Sequence, residues 1–190
     1  MPAASKSVGI LALQGDVSAH ARATLRAGGR PVPVRHRGEL AALDALILPG
    51  GESTTIAKGL VRQDLFEPLQ AFAAAGKPVL GTCAGAVLLA REVENHPVPS
   101  LGLIDVVAVR NAYGTQVDSF AAVGEQPAPG LAELRCVFIR APQLRRPGEG
   151  VVVLLRVDGW PVFVRQGNVM ATTFHPELTE DPRVHELLLA

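Results

Sequence analysis

Residues 78–85, PVLGTCAG, place a short apolar run directly before a cysteine that is flanked by glycines. The run is typical of a buried strand, and the apolar segment 84–91 that follows is typical of a helix. The polypeptide must therefore turn sharply at Cys83. A strand that leads straight into a helix is the repeating unit of a parallel sheet, so this stretch predicts an α/β fold.

The same alternation of strand and helix extends back to the beginning of the chain. Short apolar runs predict strands at residues 8–13, 31–34, 45–48 and 78–80. Helical patterns with glycine stop signals predict helices at residues 17–27, 38–43, 64–75 and 84–91. Strands that alternate with helices favour a mostly parallel sheet covered on both faces.

The sequence after residue 92 lacks this alternation. Apolar runs predict strands without long helices between them, at residues 103–109, 134–139, 151–157, 161–165 and 169–174. Asp181 and Pro182 provide start signals for a last helix over residues 183–189. We therefore predict a single domain over residues 1–190. Its three layers would be a mostly parallel central sheet flanked by helices, with antiparallel strands in the second half.

The composition argues against several classes of function. The chain has 18 basic and 18 acidic residues and a formal net charge of +0, so we expect binding to neither nucleic acid nor a membrane. The apolar run 8–13 is far shorter than the roughly 20 residues of a membrane span. Two cysteines, and histidines without metal-ligand spacing, predict no disulfide framework, no metal site and no cofactor. A cytoplasmic protein fits this composition best.

Cys83 is a candidate nucleophile. At the predicted start of a helix, the helix dipole and the free N–H groups would favour its thiolate. The glycines beside it permit a strained turn and a close approach of substrate to the backbone. The alternative is a small buried residue in a tight turn. Cys136 lies inside the apolar run 134–139, so we predict that it belongs to the core.

The sequence FHPE, residues 174–177, follows the last predicted strand. Its histidine, His175, could act as the general base that a cysteine nucleophile needs, and Glu177 could orient the imidazole. In extended backbone, which Pro176 favours, residues two apart point the same way. The alternative is a turn with two solvated polar residues. The remaining histidines are predicted to lie on the surface: His20, His36, His96 and His185.

The sequence PGGEST, residues 49–54, ends a predicted parallel strand. Its glycines expose backbone N–H groups, which could stabilise a tetrahedral oxyanion. The alternative is a simple strand-to-helix turn in which Ser53 caps the helix.

PGGEST, GTCAG and FHPE together resemble the triad-type class I glutamine amidotransferases. Further stretches are similar to the glutaminase subunits of pyridoxal 5'-phosphate synthase, and the resemblance extends from residue 8 to about residue 189. These stretches are residues 13–16, 48–55, 109–114, 116–120, 137–142 and 174–181.

The resemblance implies a class I glutamine amidotransferase-like fold and a role for individual residues. The implied nucleophile, base and acid are Cys83, His175 and Glu177. The implied glutamine-binding residues are Gly51, Glu52, Ser53, Arg110, Ile139 and Arg140. Backbone N–H groups of Gly51 and Ala84 would form the oxyanion hole. The alternative for the two arginines is a weak ion pair with a surface carboxylate.

The resemblance also implies an activity and a partner. L-glutamine would be hydrolysed to L-glutamate and ammonia. The ammonia would pass to a barrel-shaped synthase subunit, in a hetero-oligomer that makes pyridoxal 5'-phosphate from ribose 5-phosphate and glyceraldehyde 3-phosphate. Two alternatives are a glutaminase subunit that serves another synthase, such as that of imidazole glycerol phosphate, and a non-catalytic regulatory subunit.

Overall fold

The computed structural model describes residues 5–112 and 119–190. The strands are β1 Ser7–Leu11, β2 Arg30–Val34, β3 Ala45–Leu48, β4 Val79–Thr82, β5 Ala90–Glu94, β6 Ile104–Val109, β7 Ser119–Val123, β8 Arg135–Ile139, β9 Gln143–Arg145, β10 Val152–Val157, β11 Trp160–Gln166 and β12 Val169–Thr172. The α-helices are α1 Val17–Arg26, α2 Ser53–Arg62, α3 Phe66–Ala74, α4 Ala84–Leu89 and α5 Arg183–Leu189.

Among the described residues, seven strands form the central sheet, in the order β10-β11-β12-β4-β3-β1-β2. The five strands from β12 to β2 run parallel, while β10 and β11 are antiparallel additions at one edge. The predicted α/β architecture with a mostly parallel sheet and antiparallel strands in the second half is confirmed. The strand β12 is the exception in that half, because it joins the parallel part of the sheet beside β4.

Two apolar cores cover the two faces of the central sheet. Alternate residues of β3 divide between them: Leu46 and Leu48 face one core, and Ala45 and Ile47 face the other. The first core contains side chains of α2, α3 and α4, and the second contains side chains of α1, α5 and β8. The chain therefore has the three layers that the sequence predicts.

Smaller sheets lie outside the central one. The strands β5, β6 and β9 form one of them, and β7 pairs antiparallel with β8 in the other. The hairpin of β7 and β8 matters for the site because β8 ends at Ile139, whose carbonyl oxygen faces Cys83.

Three local predictions were wrong or incomplete. The helix predicted over residues 84–91 ends at Leu89, because backbone N–H groups of Leu101 and Leu103 occupy the carbonyls of Leu88 and Leu89, and Ala90 begins β5. The helix predicted over residues 38–43 is only a 3-10 turn, at Arg37–Glu39. The sequence offers a helix after PGGEST only as the alternative to an oxyanion hole, whereas the structure has helix α2 there, at Ser53–Arg62.

Within the described ranges, no helix is long and apolar enough to cross a membrane. Residues 113–118, which carry part of two of the motif stretches, lie outside the described residues.

Candidate active site

The backbone at Cys83 is strained. Cys83 links β4 to α4 with φ 48° and ψ −103°, a conformation that non-glycine residues rarely adopt. Its N–H donates to the carbonyl of Thr172 at 2.8 Å, and its thiol lies 3.8 Å from the Ile139 carbonyl oxygen. A Cβ on Gly85 would lie 2.0 Å from the carbonyl oxygen of Leu48, so only glycine lets α4 pack this closely on β3.

His175 follows β12, the parallel neighbour of β4. Its backbone N–H donates to the Val137 carbonyl at 2.8 Å, which ties this turn to β8. The side-chain Nδ1 lies 2.7 Å from Oε1 of Glu177, and that glutamate is only 4% exposed. The predicted extended backbone is instead a 3-10 turn at Pro176–Leu178, but the two side chains still meet.

The contacts of His175 favour its charged form. Burial alone would lower the pKa of His175, but hydrogen bonds and charge interactions with Cys83 and Glu177 outweigh burial and raise it to about 10. Burial alone would raise the pKa of Glu177, but contacts with His20 and His175 outweigh burial and hold it below its ordinary value. This arrangement suits an ionised carboxylate that orients an imidazolium.

The end of β3 closes the same site. A Cβ on Gly50 would lie 2.5 Å from Cε1 of His175, so a residue without a side chain is needed here to leave room for the imidazole. A Cβ on Gly51 would lie 2.4 Å from Oε1 of Gln14, which accepts the N–H of Glu52 at 2.7 Å. Gln14 was not among the predicted site residues, although it lies in one of the motif stretches.

Glu52, rather than Ser53, caps helix α2. Its carboxylate accepts N–H groups of Thr54 at 3.0 Å and of Thr55 at 2.7 Å. Burial would raise the pKa of Glu52, but these bonds and the Thr55 hydroxyl lower it to about 2. The Nη2 of Arg110 lies 3.2 Å from Oε1 of Glu52, and Nη1 donates to the carbonyl of His96 at 2.7 Å. The Arg110 guanidinium and the Glu52 carboxylate are thus both held by hydrogen bonds and lie next to each other.

A cavity of about 460 Å³ opens between these elements. Its lining residues are Gln14, Gly51, Glu52, Ser53, Cys83, Ala84, Val87, Arg110, Asn111, Ile139, Arg140, Pro142 and His175. Every predicted site residue except Glu177 therefore borders the cavity, and Glu177 is buried behind His175. In the described part of the chain, no group of three or more His, Cys, Asp or Glu side chains is arranged to hold a metal ion.

Two histidines predicted for the surface are buried. His20 is 0% exposed and His185 is 1% exposed, and their nearest ring nitrogens lie 3.2 Å apart. A signal was available in the sequence of α1, where Ala19 and Ala23 mark one face of the helix and His20 lies on that face. Cys136 is 0% exposed, so its predicted place in the core is confirmed.

Comparisons with known proteins show which family and fold this chain resembles. The model of the SNO glutamine amidotransferase family matches residues 10–190. The chain is 55% identical to pyridoxal 5'-phosphate synthase subunit PdxT of Frankia casuarinae, over 96% of this chain and 92% of that one. It is 50% identical to the protein of the same name from Solibacter usitatus, over 97% and 98%. A crystal structure of a glutamine amidotransferase superposes with a TM-score of 0.90 at 48% identity, over 96% of each chain.

Proposed function

The chain belongs to the SNO glutamine amidotransferase family, and we propose that it hydrolyses L-glutamine as the glutaminase subunit of pyridoxal 5'-phosphate synthase. Residues 1–190 would act as one glutaminase domain. The observation that carries the proposal is the 2.7 Å contact between His175 Nδ1 and a buried carboxylate, with His175 and Cys83 on one cavity. Relatives with 50% or more identity are named as subunits of that synthase, so we favour it over another synthase.

In the proposed reaction the Cys83 thiolate attacks the carboxamide carbon of glutamine and forms a tetrahedral oxyanion. Backbone N–H groups of Gly51 and Ala84 stabilise the oxyanion. The C–N bond then breaks, and the His175 imidazolium donates the proton that lets ammonia leave, so a γ-glutamyl thioester remains. Water attacks the thioester while neutral His175 accepts its proton. Release of glutamate restores the thiolate and the imidazolium, and Glu177 orients the imidazole throughout.

The proposed glutamine site uses the charges around the cavity. The Glu52 carboxylate accepts hydrogen bonds from the α-ammonium group of glutamine, and Arg110 and Arg140 donate hydrogen bonds to its α-carboxylate. Backbone groups of Gly51, Ser53 and Ile139 complete the site. Because Arg110 is already held by Glu52 and the His96 carbonyl, little side-chain entropy is lost when the substrate binds.

We further propose that the ammonia passes to a barrel-shaped synthase subunit in the cytoplasm. That subunit would consume it with a pentose phosphate and a triose phosphate, and glutamine hydrolysis would be slow until the subunit docks. The scheme requires no cofactor on the glutaminase.

The test is glutamate release from Cys83→Ala and Cys83→Ser with the synthase subunit present. We expect both variants to lose turnover, while Cys136→Ser, a replacement of a buried core cysteine away from the cavity, retains it per folded molecule. Unchanged turnover in the Cys83 variants would contradict the assignment. Assays without the synthase, and with the subunit of imidazole glycerol phosphate synthase in its place, test the choice of partner.

A further inference from the structure

A second imidazole lies against the Glu177 carboxylate. The Nε2 of His20, on α1, is 3.5 Å from Oε1 of Glu177, and both side chains are 0% exposed. The same oxygen is 2.7 Å from Nδ1 of His175. The other oxygen, Oε2, has no hydrogen-bond partner among the described residues. One buried oxygen of Glu177 therefore faces two imidazoles, and the proposed triad does not use His20.

His20 is itself held at both ring nitrogens. Its Nε2 lies 3.1 Å from Oγ1 of Thr82, the residue before Cys83, and its Nδ1 lies 3.2 Å from Nε2 of His185. These contacts connect three elements of two layers, because His20 on α1 and His185 on α5 lie on the same face of the sheet that contains Thr82 on β4. Such closely bonded buried groups have little freedom to reorient.

The surroundings select one tautomer of each ring. The negative charge of Glu177 favours a proton on Nε2 of His20, which leaves Nδ1 to accept the Nε2–H of His185. His185 Nδ1, which has no partner within the described residues, is then an unprotonated acceptor. The opposite tautomers would turn a lone pair of His20 toward the carboxylate and bury an N–H of His185 without an acceptor, which is rarely seen.

Both rings are neutral in this arrangement. Burial is the main cause that lowers the pKa of His20, and it lowers that of His185 to about 3. The titratable groups that act on His20 are Glu177 and His175 beside it, His185 from α5 and Asp16 from the start of its own helix. A neutral His20 with its proton on Nε2 turns that N–H dipole toward Glu177 at 3.5 Å without neutralising the carboxylate, so the full negative charge remains available to His175.

We propose that His20 is a positioning residue for the reaction. Its Nε2–H, 3.5 Å from the Glu177 carboxylate, favours the orientation of the carboxylate that receives the Nδ1–H of His175. His185 fixes the tautomer of His20, and the hydroxyl of Thr82 helps to hold its ring in place. This inference rests on the proposed glutaminase function.

The test compares His20→Leu, which removes the donor, with His20→Gln, whose amide N–H can reach the same oxygen. Thr24→Ala is the matched control, because Thr24 is a buried residue on the same helix whose hydroxyl has no partner within the described residues. Glutaminase kcat and KM are measured with saturating synthase subunit, and active sites are counted with a glutamine-analogue electrophile.

We expect His20→Leu to lower kcat about 10-fold to 100-fold, the range typical of outer partners that orient an imidazole, with KM nearly unchanged. Loss of a donor raises the pKa of a carboxylate, so the acid limb of the kcat profile should move to higher pH. His20→Gln should recover most of kcat. A structural role alone would make His20→Leu resemble Thr24→Ala, with normal kcat per titrated site and an unmoved pH profile, and that result would overturn the proposal.

A wild-type protein that neither reacts with the electrophile nor hydrolyses glutamine would overturn the proposed function itself, and the positioning role with it. If His20→Leu does not fold, nitrogen NMR of the wild-type imidazoles is decisive. A neutral His20 protonated at Nε2 supports the proposal, and protonation at Nδ1 contradicts it.

Discussion

Gly50 lies so close to His175 that a Cβ on the glycine would be 2.5 Å from Cε1 and 3.0 Å from Nδ1 of the imidazole. The two residues follow β3 and β12, which pair with β4 on its two sides. The missing side chain at the end of one strand is therefore what lets the imidazole of the other reach across to Cys83.

Gly50→Ala should reduce glutamine turnover by about 100-fold, because displacement of a catalytic group by about 1 Å has an effect of this size. The added methyl group cannot be accommodated unless His175 or the backbone moves. Gly38→Ala is the control, since a Cβ at Gly38 would meet nothing within 4 Å. Steady-state kinetics of both variants check the prediction, and equal turnover in the two would contradict it.

Glu177→Gln should lower kcat by on the order of 10²-fold to 10⁴-fold, because an amide at this position can stabilise the wrong tautomer of His175, the proposed general base. The KM for glutamine should change little, since Glu177 does not line the cavity. Glu180→Gln makes the same chemical change on a side chain that is 93% exposed. Kinetics that respond equally to both substitutions would refute an orienting role for Glu177.

Much of this fold could be predicted because its signals are local. Residues 8–13 and 45–48 are apolar runs too short for helices, and Asp181 with Pro182 marks the start of α5 at the predicted residue. The end of α4 could not be predicted, because Ala90 and Arg91 carry no stop signal and the chain leaves the helix through pairing of β5 with β6, a contact that the local sequence does not show.

In the candidate site, too, features with a local sequence signal could be predicted and features that depend on distant contacts could not. Cys83 and the pair His175 and Glu177 were predicted from short motifs beside strand ends, where ligand sites of parallel sheets gather, and the structure brings the three residues together. The buried place of His20 was missed because a histidine in a helix is ordinarily a surface residue, and its partners lie 62, 157 and 165 positions away in sequence. The contact between Glu52 and Arg110 likewise joins residues 58 positions apart.

Arg110→Lys should raise the KM for glutamine about tenfold or more, since a hydrogen bond to a charged group contributes about 1.5–3 kcal/mol. Lysine cannot reproduce the fork that contacts both Glu52 and the His96 carbonyl. The control is Arg91→Lys, because Arg91 pairs with Asp105 outside the cavity. A fall in kcat at unchanged KM would show instead that Arg110 acts on the reaction and not on substrate binding.

The free energy of unfolding should depend on pH through His175. The folded pKa of about 10 lies above the ordinary value of 6.5, so the folded state binds this proton more tightly. The resulting stabilisation is complete below pH 6.5, and it is lost as the pH rises toward about 10. Chemical denaturation of wild type and His175→Gln should therefore give a stability difference that shrinks across this range. Thr24→Ala removes no titratable group, and its difference from wild type should not follow the same course.

The two cysteines should differ in reactivity toward iodoacetamide at neutral pH. Cys136 is 0% exposed, and burial raises the pKa of its thiol to about 12, so it presents almost no thiolate. Cys83 borders the cavity and lies beside His175, so the folded protein should take up one label, at Cys83, and glutamine should slow the labelling. Mass mapping of wild type, Cys83→Ala and Cys136→Ser separates the sites, and the denatured protein, in which both cysteines react, confirms that each can be detected. Comparable labelling of Cys136 in the folded protein would contradict both its core position and the special environment of Cys83.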